Sequence, residues 1–467
     1  MPKTHIVRIQ EAVHGLLEFR GLEAIVVDVL RTPEIQRTRR IRQLGLCHYV
    51  FPSAEHSRLV HSLGASWLAI RFARQLRDTT RGYLSDVLRP SETAIADLAL
   101  AALCHDIGHG PLSHAWEREI VGREYDRAEL FNSLNIPLDL RSLFKDAPWH
   151  EITTAGLLLW KDGELNQLLE NYSRGSALRI VRLLRGEYWL EYLPGLLRGE
   201  VDVDRADYIR RDTHQTGVAY GRYDLDWLIS TCTVGEQPSN GKWVVGFDSR
   251  KAPRVIEQFL VARIALYETV YCHKTVRAAE GMVKNLFRRL KQVVRDGSES
   301  ISSEVFHKAI LSTSVTPADL LDLDDFALFV LIGELSRAAI DPIVRDLSQR
   351  ILSRDLFKLV PVSSEDVENF LLNENSYDKL YEVMKPFCPG DPQHYLVRDD
   401  YSFKFFNDQE TDSGDLSGAS FLIDSRRKAK PLRDHSDLRM HKTEIKAVRL
   451  FTLQSCVTKV ADVLKRH

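Results

Sequence analysis

The chain has 467 residues, with 63 Lys plus Arg against 65 Asp plus Glu, and is 44% hydrophobic and 9% aromatic. These proportions exclude a disordered or fibrous chain. A formal charge of -2 excludes a global attraction to nucleic acid or to an anionic membrane, so a polyanionic ligand has to be met by a local cluster of charge.

From the first residues to about 295, apolar positions recur at three- and four-residue spacing, which predicts helices with few strands. Residues 91–104 illustrate the pattern: Ser91 supplies a helix start, and Ile95, Leu98, Ala99, Ala102 and Leu103 share one face that ends at His105. Residues 242–247 read as a strand entered from Asn240-Gly241, and 254–294 as one long helix or a pair. Gly, Ser and acidic residues around 296–303 mark a boundary or exposed loop. A helical section follows to about 358, in which Ala327 to Gly333 reads as a core helix, too short and too charged at Glu334 and Arg337 for a membrane span. From Pro361 onward, alternating segments at 401–406 and 420–423, separated by an acidic turn at 409–418, predict a small α/β lobe. The short basic run at 426–430 reads as a solvated loop or part of a nucleotide interface. The expected architecture is therefore mostly α, with a catalytic core at 1–295, a helical extension at 296–360 and a smaller α/β lobe at 361–467. No internal repeats are found. Six well-separated cysteines without a C-x-x-C pair, and the lack of an apolar leader at Met1, fit a reducing, cytoplasmic setting.

Histidines concentrate in one stretch. Leu103-Cys104-His105-Asp106-Ile107-Gly108-His109-Gly110-Pro111-Leu112-Ser113-His114 places a His-Asp pair at the end of an apolar helix, followed by two more histidines in a glycine-rich turn. Imidazole nitrogens and carboxylates suit a divalent cation, and His61 and Asp204 are candidate ligands from elsewhere. Taken singly, each of these histidines equally fits a helix cap or a core hydrogen bond. Asp204, Tyr208 and Asp212 recur at four-residue spacing on one helical face, as do Arg263, Tyr267, Tyr271 and, after a further turn, Lys274.

Together, Ile41-Arg42-Gln43-Leu44-Gly45, Tyr49-Val50-Phe51-Pro52, His56-Ser57-Arg58, His61-Ser62-Leu63-Gly64, the 105–111 stretch and Asp204-Arg205-Ala206-Asp207-Tyr208 resemble the HD superfamily of metal-dependent phosphohydrolases. Within it they resemble the deoxynucleoside triphosphate triphosphohydrolases, notably the vertebrate SAM- and HD-domain branch, with no SAM domain expected here. The likeness runs through residues 6–290, returns at 354–358 and is weak in the C-terminal lobe. It implies His61, His105, Asp106 and Asp204 as ligands of a divalent metal, whether Fe, Mn, Zn, Ni or Mg. It implies acid-base and positioning roles for His109, His114, His150 and Glu151, with Glu117 in place of the family's aspartate and His114 as general acid. Arg58, Arg205 and Arg263 fall to the triphosphate, Gln43, Leu44, Tyr208 and Asp212 to the sugar, and Tyr267 and Tyr271 to the sugar and base side. Arg205 stands where the relatives have lysine, and Tyr267 and Cys272 where they have histidine and glutamine.

The same resemblance implies a tetramer assembled by an activating nucleotide, with Gln36, Arg39, Arg354 and Lys358 at matching positions. Arg31 replaces the guanine-reading aspartate, and an arginine cannot accept the bonds that guanine donates. The expected activity is hydrolysis of a dNTP to deoxynucleoside and inorganic triphosphate, with no membrane as partner and nucleic acid left open but not indicated. Two other readings stay open: a different HD phosphohydrolase acting on nucleotides or nucleic-acid ends, and a nucleotide-sensing module.

Overall fold

Residues 6–121, 125–311, 315–404, 420–434 and 444–466 are described by the computed structural model. An antiparallel hairpin opens the chain, β1 (Ile6–Glu11) and β2 (Gly15–Arg20), where helix was expected. Gly15, at φ 74°, makes the turn, and Leu17 and Phe19 alternate inward to the core, a period-2 signal short enough to be lost among helical neighbours.

The centre of the protein is helical. α1 (Arg58–Thr79) and α2 (Glu92–Cys104) pack along each other, and the Ser91 hydroxyl caps α2 by accepting from the Ala94 amide at 3.1 Å, as its sequence predicts. Every side chain from Ala94 to Cys104 is buried, so α2 runs through the core and delivers His105 at its end. α3 (Trp149–Leu159) and α4 (Ser176–Leu184) lie on one side, and α5 (Val203–Thr216), capped by Asp202, packs against α1.

The predicted strand is β4 (Trp243–Asp248), paired antiparallel with β3 (Cys232–Glu236). The helical stretch after it is a pair: α6 (Pro253–Leu266) widens into a π turn at Tyr267–Tyr271 before α7 (Lys274–Arg295). α8 (Asp325–Ala338) and α9 (Pro342–Ser353) pack on one another, and α9 packs on α7. α8 is not the core helix expected of it. Leu328, Leu331, Ile332 and Leu335 are buried, but Phe326 and Val330 are 58% and 62% exposed: its apolar residues encircle the helix while only one face meets the core.

The remaining strands are β5 (Lys358–Leu359), β6 (Leu396–Lys404), β7 (Phe421–Ile423), β8 (Ala429–Pro431) and β9 (Glu444–Thr452), followed by α10 (Val457–Lys465). They divide between two sheets. One has the order β3-β4-β7-β8, with β7 parallel to β4 (Gly246 opposite Phe421), and the other has the order β5-β9-β6. The acidic turn expected at 409–418 lies outside the described residues. The basic run is partly sunk into the fold: the Arg427 guanidinium lies 3.9 Å from the Tyr83 ring centroid and Lys428 pairs with Glu236 at 2.8 Å. The six cysteines are free, and among the described residues no helix is long and apolar enough to cross a membrane.

Candidate metal centre and active-site cavity

Four predicted side chains converge from three elements. His61 lies one turn into α1, His105 and Asp106 follow α2, and Asp204 is in the first turn of α5. His61 Nε2 lies 3.1 Å from Asp204 Oδ1, 3.4 Å from His105 Nε2 and 3.7 Å from Asp106 Oδ2. His105 Nε2 lies 3.3 Å from Asp106 Oδ2 and 3.6 Å from Asp204 Oδ1.

Ligand atoms on one divalent ion at about 2.1 Å stand roughly 3.0–3.5 Å from each other, so His61, His105 and Asp204 fit a common ion, with Asp106, which pairs with Arg58, at its edge. The tautomers fit as well. His61 Nδ1 donates to Asp207 Oδ2 at 2.8 Å and His105 Nδ1 to the Ala102 carbonyl at 2.7 Å, leaving both Nε2 lone pairs facing the centre.

Asp207, which carried no assigned role in the sequence, is the hub behind His61. It is buried and also accepts from His14 at 2.6 Å and from Arg211 at 2.8 and 2.9 Å, while Arg211 reaches Glu11 at 2.6 Å. The N-terminal hairpin is thus wired to a candidate ligand. Burial alone would lower the His61 imidazole, but the carboxylates of Asp204 and Asp207 outweigh it and lift it to about 10, so a cation binding at Nε2 displaces a proton there.

The turn after Asp106 is shaped by close packing. A Cβ at Gly108 would sit inside the van der Waals envelope of the His150 carbonyl and the Thr154 amide on α3, so only glycine lets the turn lie on that helix. Leu112 and Ser113 both take left-handed φ values of 58°. Asp325 holds this conformation by accepting from the Leu112 amide at 2.7 Å and the Arg42 amide at 2.9 Å. Arg37 is buried and donates to the carbonyls of Ile107, His109 and Leu323. Neither Asp325 nor Arg37 was assigned from sequence, because each acts through backbone brought near by folding.

Beside the metal centre lies a second cluster of His109, His114, Glu117 and His150. Glu117 accepts from His150 Nδ1 at 2.7 Å and lies 3.2 Å from His109 Nδ1, while the rings of His109 and His150 stack at 4.0 Å. Burial works to raise the Glu117 carboxyl, but the two imidazoles hold it well below the usual range. Glu151 is not part of this cluster but lines the same cavity and pairs with Arg185. Arg58 donates to the Ser113 hydroxyl at 2.8 Å and pairs with Asp106.

Arg58, His105, Asp106, His109, His114 and His150 line a cavity of about 330 Å³, which also takes in Asp204, Arg205, Tyr208, Arg185 and Arg198. A second cavity, about 390 Å³, shares Gln43, Arg58, His114 and Tyr208 with the first and is walled by Leu44, Asp212, Tyr267, Tyr271 and the strand residues Tyr401, Ser402 and Phe403. Asp212 joins His56 Nε2 (2.9 Å) to the Tyr271 hydroxyl (2.5 Å), and Gln43 Oε1 is buried without a partner among the described residues. Arg263 lines neither cavity among the described residues. Phe403, stacked on Tyr267 with centroids 3.5 Å apart, lies 5.0 Å from its guanidinium and covers it. The contribution of β6 to this wall was invisible in sequence, since some 130 residues separate Tyr267 from Phe403.

Away from the cavities, Arg31 is exposed and pairs with Asp28 at 3.5 Å, Arg39 donates to Gln36 at 2.7 Å, and Arg354 donates to the Tyr49 carbonyl at 2.7 and 2.9 Å. Lys358 is exposed on β5.

Against known proteins, the HD domain family matches residues 58–212 and the HD associated region 250–383. Uncharacterized protein YwfO of Bacillus subtilis is 29% identical over 84% of this chain and 79% of its own length. The deoxynucleoside triphosphate triphosphohydrolase SAMHD1 of Mus musculus is 30% identical over 85% of this chain, and that of Bos taurus 25% identical over 82%. The chain spans 60% and 63% of those two proteins, less than two thirds of either. A phosphohydrolase of Bacteroides thetaiotaomicron superposes with a TM-score of 0.70 at 23% identity, covering 96% of this chain and 100% of that one. A hypothetical protein of Aquifex aeolicus does so with a TM-score of 0.66 at 25% identity, covering 98% and 100%.

Proposed function

Because the chain belongs to the HD-domain phosphohydrolases, we propose that it hydrolyses deoxynucleoside triphosphates to deoxynucleoside and inorganic triphosphate. The observation that carries this reading is the pair of joined cavities: a polar one built on the His/Asp centre and arginines, and an aromatic one beyond it. A nucleoside triphosphate divides at the same place, between a polyanion and a sugar with its base. His114 lines both cavities, where the bond between the α-phosphorus and the 5′ oxygen would lie.

His61, His105, Asp106 and Asp204 would hold a divalent metal, which when bound lowers the pKa of water and screens phosphate charge. Water adds its oxygen to the α-phosphorus, the bond to the 5′ oxygen breaks, and His114 gives that oxygen its proton. In the free protein, desolvation at the cavity wall and the charges of His109 and Arg58 hold the His114 imidazole, though the residue keeps an exposed edge, well below the ordinary histidine range; a bound polyanion favours the protonated form. Glu117 holds His150 and His109 in register behind it. Gln43 and Asp212 face the sugar, and Tyr208 with Tyr271 leaves little room for a 2′ hydroxyl. A clash of this kind is needed, because a merely apolar pocket rejects an added hydroxyl only about 100-fold.

Chromatography of the products from each dNTP and rNTP, with Mn²⁺ or Mg²⁺ and with or without a second nucleotide, tests the reading. The expected products are deoxynucleoside and triphosphate in equal amounts. Monophosphate with pyrophosphate, or no turnover under any of these conditions, sinks it. His105→Ala combined with Asp106→Ala is expected to remove both bound metal and turnover.

A further inference from the structure

Four arginines line the polar cavity, and three of them have partners. Arg58 is held by Asp106 and Ser113, Arg205 by Asp202 and the Gly199 carbonyl, and Arg185 by Glu151 and the Leu143 carbonyl, with its guanidinium also 4.9 Å from the Phe144 ring centroid. Arg198 differs. It closes the single turn Gly195–Arg198, is only partly exposed, and forms no hydrogen bond or ion pair among the described residues. A Cβ built on Gly186, at φ 90°, would stand 3.1 Å from Arg198 Nη1, so backbone without a side chain passes beside the guanidinium. Arg205, adjacent in sequence to the candidate ligand Asp204, donates to the carbonyl of the residue after Arg198 at 2.9 Å, and both arginines line the cavity.

A cation withdrawn from water without an anion is costly, and proteins pair such charges or neutralise them with a ligand. Burial pushes the Arg198 guanidinium below its ordinary value, and Arg185, under burial first and the charge of Arg198 second, falls to about 10. Two cations face one end of the cavity, and a single carboxylate, Glu151, answers them.

We propose that Arg198, backed by Arg185, forms an anion subsite at the metal-distal end of the cavity that takes the terminal phosphate of a polyphosphate chain. The guanidinium fork suits a tetrahedral oxyanion with two oxygens presented side by side. The proposal rests on the triphosphohydrolase reading for its substrate class, and it adds a selectivity for chain length: the longer the polyphosphate, the more Arg198 contributes.

The test titrates the full-length, Mn²⁺-saturated protein with inorganic triphosphate, pyrophosphate and orthophosphate as magnesium salts by calorimetry at fixed ionic strength. Arg198→Gln is expected to weaken triphosphate binding roughly 10- to 100-fold, the range of one charge-assisted hydrogen-bond pair, to leave orthophosphate binding within about twofold, and to raise the KM for dNTP. Arg198→Lys should recover part of the loss. Because Arg198 has no partner among the described residues, Arg198→Gln should melt at or above the wild-type temperature, whereas Arg185→Ala, which breaks three contacts, should melt lower. Equal affinity of wild type and Arg198→Gln for triphosphate, or an equal loss for all three anions, overturns the subsite. The two readings fail separately. Arg198-dependent triphosphate binding without dNTP turnover keeps the subsite and discards the activity; dNTP turnover with triphosphate binding indifferent to Arg198 does the reverse.

Discussion

Asp207 shows how much of the metal centre lies one shell out. Its carboxylate fixes the tautomer of His61 and is itself fixed by His14 and Arg211. Asp207→Asn keeps the shape but removes the charge that Arg211 and His61 face. The expected result is a 10- to 100-fold loss of metal affinity together with about 3 kcal/mol of stability, the cost of breaking a buried ion pair on one side. Metal titration of the purified variant and a denaturant melt check both, and metal affinity within twofold of wild type would remove Asp207 from the site.

His394 gives a pH signature away from the site. The residue is 2% exposed and neither ring nitrogen has a partner among the described residues, while the charges of Arg288, Asp391, Arg289 and Asp341 act on it. Burial, with Arg288 next, lowers it to about 4. Between pH 6.5 and 4 the unfolded chain therefore binds a proton that the folded protein refuses. The contribution is complete above about pH 6.5 and is lost as the pH falls toward 4, by roughly 2–3 kcal/mol. Melting His394→Gln and wild type at pH 4.5 and 7.5 checks the sign: the variant should lose less stability on acidification.

At the level of elements, the site depends on how closely the Asp106–His114 turn lies on α3. Gly108→Ala places a methyl group against backbone atoms that cannot rotate away, and is expected to cost about 3 kcal/mol and to displace His109 from Glu117, seen as a lower melting temperature with weakened metal binding. A variant as stable as wild type would mean that the turn can lift from the helix. What was legible in sequence follows from this geometry. The histidine turn is a local motif and α2 announces itself through Ser91 and its apolar face, whereas the ligand quartet, spread from His61 to Asp204, was read through the family resemblance of several short motifs. The parts that were not legible are products of distance: His14 reaching Asp207, Asp325 holding Leu112, β7 pairing with β4, and Phe403 covering Arg263. The N-terminal hairpin was local but too short for its alternation to stand out. In the two π segments, Trp116–Val121 and Tyr267–Tyr271, the extra residue per turn re-aims side chains near the cavities without any compositional mark.

For the whole molecule, the charge of -2 conceals strong local contrasts, with arginines inside the polar cavity and others on the surface at Arg31, Arg39 and Arg354. If nucleotides assemble the chain through these surface groups, Arg31 changes the rule of recognition, since it donates where guanine needs an acceptor. Sedimentation with added dGTP, GTP and dATP is expected to show assembly by more than one base. Assembly by GTP alone, abolished in Arg31→Ala, would contradict this.

The pairing of β4 with β7 joins residues 175 positions apart, Gly246 with Phe421, and the aromatic cavity takes its far wall from Tyr401 to Phe403. On the ribosome the two halves of the site therefore mature at different times. Every candidate metal ligand has emerged by Asp204, while the aromatic wall waits for nearly two hundred further residues, and loop closure over that span is slow. A nascent chain stalled near residue 300 would carry every candidate metal ligand without the strand wall of the aromatic cavity beside them.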